Sequence, residues 1–300
     1  MTEKKGNKMA LKAKAPELVK VGKPKFLISG ESGVGKTFFS LDFPKPYLID
    51  TEGGATRPQY QEKLKKSGGA YFGKEEGSQD FNAIIEELKE LATKKHDFKT
   101  LIIDSFSYVY LLEAAEAELK GGSDFGRDKK EANKPTRQMI RWLEKLDMTV
   151  ILICHSKPKW KKVGKEVVSD GNTFDGYDKL EYILDLWIEI PKGGKTFLIK
   201  KSRIESLPQE SSMPLSYEKF AEVYGANIIE SDVVPVNIAN DTQIQSVKKM
   251  IEILNVPVEQ IEKWFKKVDV ESWEEMTSEQ IDGLIALLNK KLQEATTGKV

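Results

Sequence analysis

The sequence of 300 residues predicts an α/β fold, a mostly parallel sheet flanked by helices, with a small helical domain behind it. Three observations predict it. The apolar run Phe26-Leu27-Ile28 leads directly into the Gly-rich stretch Gly30-Glu31-Ser32-Gly33-Val34-Gly35-Lys36-Thr37, which then becomes helical in pattern. Three further apolar runs, 47–50, 100–105 and 150–154, are separated by segments of helical period, the alternation that builds parallel sheets. From Asp241 onward the pattern changes to amphipathic helices.

The Gly-rich stretch fits the phosphate-loop pattern G-x-x-x-x-G-K-[ST] at every fixed position, in the strand-then-helix context the pattern requires. Gly30 and Gly35 permit backbone angles and close approaches that a side chain would block. The loop then turns its N–H groups inward at phosphate oxygens, and the following helix aims its N-terminus at the same anion. Lys36 is placed to reach the β- and γ-phosphates, and the Thr37 hydroxyl to ligate Mg²⁺.

Taken in order, residues 1–25 carry eight lysines against two glutamates without any period. They read as a basic arm over 1–22, either solvated or touching nucleic acid or a neighbouring subunit. A core is expected over 23–225. Its first helix spans Thr37 to Phe43, and its second strand, Tyr47 to Asp50, ends in Thr51-Glu52-Gly53-Gly54. Glu52 stands where ligands bind in open α/β sheets, so it is a candidate to position or deprotonate an attacking water. Residues 55–79 read as loop with a short strand near Ala70 to Phe72, and Asp80 to Lys94 as a helix. The strand Thr100 to Ser105 brings Asp104 to the edge where a carboxylate holds Mg²⁺ opposite Thr37. The residue after it is Ser105 rather than Glu, so a water-activating carboxylate must come from elsewhere, and Glu52 is available.

Helices are expected at Tyr108 to Lys120 and Pro135 to Asp147, with a loop from Gly121 to Asp128 between them. Val150 to Cys154 is a buried strand that ends in His155, a candidate sensor of the γ-phosphate; Cys154 reads as a small core residue. Lys157, Lys159, Trp160, Lys161, Lys162 and Lys165 follow. As a flexible basic loop they would track a single strand and stack a base; the other reading is an exposed hairpin kept soluble by its lysines. Ser169 to Asp178 reads as a second mobile loop. Leu180 to Ile190 and Lys195 to Lys200 read as two strands around the turn Pro191-Lys192-Gly193-Gly194, ending in the cations of Lys200-Lys201-Ser202-Arg203. A linker is expected at 226–240. Three helices follow over 241–300, the last opened by the capping box Thr277-Ser278-Glu279-Gln280.

Lys+Arg and Asp+Glu are both 47, so any polyanion contact must come from a local patch. One cysteine excludes an internal disulfide, and with two histidines a structural zinc site is not expected. There is no apolar signal core at the N-terminus and no stretch near the ~20 apolar residues of a membrane helix. A cytoplasmic protein without membrane contact is the expectation.

In this order, GESGVGKT, LIDTEGG, TLIIDS, VILICHS and FLIKKSR resemble the core of RecA-type recombinase ATPases over Lys25 to Arg203. The resemblance is closest to phage-encoded proteins with a minimal RecA-like core that act in recombination and single-strand annealing, a group also described as phage nucleotide-binding or AAA-family ATPases. It implies a RecA-like P-loop NTPase core that binds Mg-ATP, with Glu52 activating water and the segment Ser156 to Asp178 binding DNA. The family's inter-subunit cations would fall on Lys201 and Arg203, or one residue away on Lys200. His155 stands where the family usually has glutamine. The C-terminal helices resemble short tails of phage recombination proteins. The resulting expectation is a DNA-dependent ATPase on single-stranded DNA, acting as a homo-oligomeric ring or filament. Its C-terminal helices would dock a single-strand-binding or other recombination protein. A replicative-helicase-like motor, a small-molecule kinase and a nucleotide-switched loader or adaptor are the alternatives.

Overall fold

The computed structural model describes residues 21–112 and 128–297. The basic arm before residue 21, the loop 121–127 and the end of the helix expected at Tyr108 to Lys120 lie outside the described residues.

The strand runs form one mixed sheet. Its members are β1 (Lys25–Gly30), β2 (Pro46–Asp50), β3 (Ala70–Phe72), β4 (Thr100–Asp104), β5 (Thr149–Val163), β6 (Glu166–Phe174), β7 (Leu186–Ile190), β8 (Thr196–Ser202) and β9 (Ser212–Pro214). The spatial order is β3-β2-β4-β5-β1-β7-β8-β9, with β6 paired to β5. From β3 through β7 the neighbours are parallel; β8 and β9 add antiparallel strands at one edge. This is the architecture of an α/β P-loop NTPase core.

Period-two alternation sorts the strand residues onto two faces. Leu27, Leu101, Ile103, Val150 and Leu152 pack under α3 (Phe81–Thr93), the helical segment 106–112 (α4) and α5 (Asp128–Lys145). Phe26, Ile28, Ile102, Ile151 and Ile153 pack on the other face with Phe39, Phe43, Phe197 and Phe220. Because both faces are covered, these strands read as continuous apolar runs.

Several elements differ from expectation. The first helix, α1 (Lys36–Ser40), stops before Phe43. Part of the expected loop at 55–79 is a helix, α2 (Pro58–Ser67), started by Pro58 and closed at Gly68 with φ 70°. It buries only Leu64, so it has no apolar stripe to announce it. Helix α5 begins at Asp128, with Pro135 inside it. The expected strand Leu180 to Ile190 is divided into α6 (Leu180–Ile183) and β7. Leu180, Ile183 and Leu184 pack on one cluster at i, i+3, i+4 spacing, a helical pattern. The expected flexible loops after His155 are instead an antiparallel hairpin, β5–β6, turning at Gly164 with φ 63°.

Beyond the sheet, α7 (Tyr217–Tyr224) and α8 (Ala226–Ile229) pack on the core through Phe220 and Ile229. The stretch read as linker is fastened to the core: Asp232 pairs with Lys99 at 2.6 Å and the Val236 N–H donates to the Ala92 carbonyl at 2.7 Å. Helices α9 (Asp241–Ile253), α10 (Val258–Val268) and α11 (Ser278–Thr297) form a cluster of their own around Val247, Ile281 and Leu288. The expected capping box is present: the Gln280 N–H donates to Thr277 Oγ1 at 3.2 Å and the Thr277 N–H to Gln280 Oε1 at 2.9 Å. A one-turn 3₁₀ helix, Trp273–Glu275, joins this cluster to α5. There Glu275 Oε2 lies 3.2 Å from Arg141 Nε and Glu275 Oε1 accepts from Gln138 Nε2 at 3.0 Å.

Candidate active site

The C-terminal edge of the parallel strands gathers the residues with chemistry. In register, Gly30 lies opposite His155 and Ile190, and Asp50 opposite Asp104. A cleft of about 840 Å³ opens there. It is lined by Glu31 through Thr37 together with Glu52, Asp104 and His155.

The phosphate loop owes its close packing to two glycines. A Cβ at Gly30 would lie 2.7 Å from the Ile190 carbonyl oxygen, and one at Gly194 would lie 2.6 Å from that of Val34. The β7–β8 turn therefore rests directly on the loop, which makes Lys192 a wall of the cleft. Lys36 Nζ donates to the Gly30 and Glu31 carbonyls, both at 2.8 Å, so the loop closes on its own lysine. Burial lowers the Lys36 ammonium below its ordinary range, against the opposing pull of Asp104 and Glu52.

Thr37 Oγ1 donates to Asp104 Oδ2 at 2.5 Å. Burial pushes the Asp104 carboxyl up to about 6, and the Thr37 hydrogen bond opposes that rise. These are hard oxygen donors of the type Mg²⁺ takes, and a neighbouring cation would hold Asp104 ionised. Among the described residues no group of three His, Cys, Asp or Glu side chains stands ready to hold a metal alone. The donor set thus fits a Mg²⁺ held by Thr37 and Asp104 with phosphate oxygens, rather than an all-protein cage.

Glu52 Oε1 accepts from Ser105 Oγ at 2.5 Å and lies 2.8 Å from His155 Nε2. The peptide between Asp104 and Ser105 is cis. His155 is also tied by its backbone, whose N–H donates to Ser107 Oγ at 2.9 Å and whose carbonyl accepts the Asp175 N–H at 2.8 Å. The strand that carries His155 continues as the hairpin, so the root of the hairpin touches Glu52.

The hairpin lysines are outside the cleft. Lys161 and Lys159 reach Asp170 at 2.8 and 3.6 Å, and Lys157 reaches Asp175 at 3.0 Å. Lys162 and Lys165 have no ion pair among the described residues. Trp160 is 60% exposed.

Lys201 and Arg203 are at the opposite edge of the sheet from the phosphate loop. Lys201 lies opposite Trp187, whose parallel partner Leu27 is roughly 10 Å of strand below Gly30. Lys201 Nζ donates to the Leu184 carbonyl, and Arg203 to the Tyr182 and Ile183 carbonyls at the end of α6. Neither reaches the phosphate loop of its own chain. Lys200 pairs with Glu189 at 3.2 Å.

Sequence reasoning missed Asp50, Arg57, Tyr60 and Lys192, all of which line the cleft. A signal existed for Arg57, because Pro58 after it marks a helix start. None existed for Lys192: the turn is legible locally, but its docking on Val34 is a long-range contact.

The family model of the AAA domain matches residues 22–206. That is more than half of the chain, which therefore belongs to this family, whose members are in general nucleotide-binding ATPases that typically use Mg²⁺. No curated protein matches the chain. Among the described residues no helix is long and apolar enough to cross a membrane.

Proposed function

We propose that this AAA-domain chain is a Mg-ATP-dependent, DNA-stimulated ATPase that acts on single-stranded DNA in phage recombination or annealing. The observation that carries the reading is the joining of two features through one strand. Glu52 is held at the mouth of the phosphate-loop cleft by Ser105 and His155, and His155 begins the basic hairpin.

In this reading the N–H groups of Gly30 to Thr37 and the Lys36 ammonium bind the triphosphate. Thr37 and Asp104 hold Mg²⁺, which neutralises charge on the phosphate oxygens. Glu52 orients water and accepts its proton; Ser105 and His155 hold the carboxylate meanwhile. Trp160 offers a face for a base, and Lys157, Lys159, Lys161, Lys162 and Lys165 offer charge to the backbone. Subunits stacked in a ring or filament would bring Arg203 and Lys201 of one toward the nucleotide of the next. The C-terminal helices would dock a single-strand-binding or other recombination protein.

ATP hydrolysis measured with Mg²⁺, with and without single-stranded DNA, at low and moderate salt, tests the reading. Stimulation that fades as salt rises, together with loss of turnover in Lys36→Ala, is expected. Turnover that ignores DNA at both salts would overturn the DNA assignment. Full turnover in Lys36→Ala would overturn the whole reading.

A further inference from the structure

Asp50 takes no part in the chemistry above, and its surroundings are unusual for a carboxylate. It is 3% exposed at the end of β2. Among the described residues no cation pairs with it. Its partners are backbone donors instead. Oδ1 accepts the N–H groups of Glu52, Gly53 and Gly54 at 3.2, 2.8 and 3.1 Å, and Oδ2 accepts that of Ala55 at 2.7 Å. Four consecutive donors converge on one buried carboxylate, three sharing Oδ1 and one on Oδ2, so both oxygens are engaged. Gly53, with φ 80°, supplies the left-handed step that lets the chain wrap around it. The wrapped loop starts at Glu52 and runs to Arg57, and both residues line the cleft.

We propose that Asp50 is the positioning residue for hydrolysis: it fixes the 52–55 loop so that Glu52 faces the phosphate loop. This rests on the reading of Glu52 as the group that orients water. A carboxylate suits the place because both of its oxygens accept. An asparagine of the same size accepts on one atom and turns an NH₂ donor against backbone donors that are themselves seeking acceptors. The Ala55 N–H, on a residue 1% exposed, is then left without an acceptor or takes the one that holds Glu52 to Gly54. Loosening the loop by about 1 Å is enough to cost on the order of 10²-fold in rate. Among the described residues the Asp50 side chain bonds only to residues 52–55 and makes no hydrogen bond to the phosphate loop across the cleft, so the loop that grips the nucleotide keeps its own geometry.

The test uses the full chain as wild type, Asp50→Asn, Glu52→Gln, the double variant and Gly53→Ala, with steady-state ATP hydrolysis and equilibrium ADP binding. Asp50→Asn is expected to lower kcat by roughly 10- to 100-fold while KM and ADP affinity stay within about two-fold. In the Glu52→Gln background it should cost nothing further, because the residue it positions is already gone. Should Asp50→Asn fold poorly, Gly53→Ala strains the same loop at its left-handed step, where a Cβ would also lie 3.2 Å from Lys74 Cε, and should give the same split of kcat from KM. Wild-type kcat in Asp50→Asn, or in Gly53→Ala, overturns the proposal. So does an equal loss with and without Glu52. Wild-type kcat in Glu52→Gln instead overturns the assignment of Glu52, a result distinct from either.

Discussion

Glu52 Oε1 lies 2.8 Å from His155 Nε2, and both side chains are about half open to solvent. A polar contact at such exposure is worth little to stability, roughly 0–1 kcal/mol. Its consequence is connection: His155 is the residue at which β5 leaves its pairing with β1 and becomes an arm of the hairpin that we assign to DNA. His155→Ala is therefore expected to leave ATP affinity and Tm nearly unchanged and to remove most of the stimulation of hydrolysis by single-stranded DNA. Hydrolysis rates with and without DNA check it; intact stimulation would separate the hairpin from Glu52.

The hairpin makes a prediction from its own ion pairs. Asp170 holds Lys159 and Lys161, and those two lysines in turn lower its carboxyl. Asp170→Asn should release them and strengthen binding to single-stranded DNA. Lys162→Ala and Lys165→Ala should each weaken it and reduce the salt slope by about 0.7 for each phosphate that is no longer neutralised. Trp160→Ala should cost about 1–3 kcal/mol of binding if a base stacks there. Titration of a labelled oligonucleotide at several salt concentrations reads all four variants.

Glu275 fastens the C-terminal helices to the core. It is 1% exposed, with Arg141 on one oxygen, Gln138 on the other, and its carbonyl accepting from Lys145 Nζ at 2.6 Å. Glu275→Ala leaves the buried Arg141 guanidinium with Glu271 alone, at 3.3 Å, and is expected to cost about 1–3 kcal/mol. Denaturant unfolding checks the magnitude. Limited proteolysis should show earlier cleavage between the core and the C-terminal helices.

Lys25 gives a pH dependence. Its Nζ donates to the Leu143 and Leu146 carbonyls at the end of α5, and burial lowers its ammonium to about 8 from 10.5. Between those values the unfolded chain binds a proton that the folded chain does not. The stability contributed by this site therefore rises with pH from about 8 to 10.5. Lys25→Met keeps the stem and removes the titration, so the Tm of wild type should gain on that of Lys25→Met across this window. A constant difference would contradict the assignment.

Short-range features were legible in the chain alone. The phosphate loop is a local spacing of Gly, Lys and Thr, and β1, β2, β4 and the start of β5 are apolar runs long enough to need burial on both faces. Asp104, Glu52 and His155 were legible because each ends such a run, and parallel strands carry their ends to one edge. The capping box at Thr277 was legible for the same local reason. Long-range packing settled the rest. Whether Lys157 to Asp178 was loop or hairpin depended on pairing between segments with little apolar pattern. Leu180 to Leu184 coiled because the neighbouring cluster takes those residues on one helical face. Lys192 became a wall of the cleft only through the approach of Gly194 to Val34, and Asp50 became the anchor of a loop only when the backbone wrapped it. Spacing along the chain encodes hydrogen bonds and burial within a few residues; contacts between distant segments depend on how the sheet is ordered, which no local pattern carries.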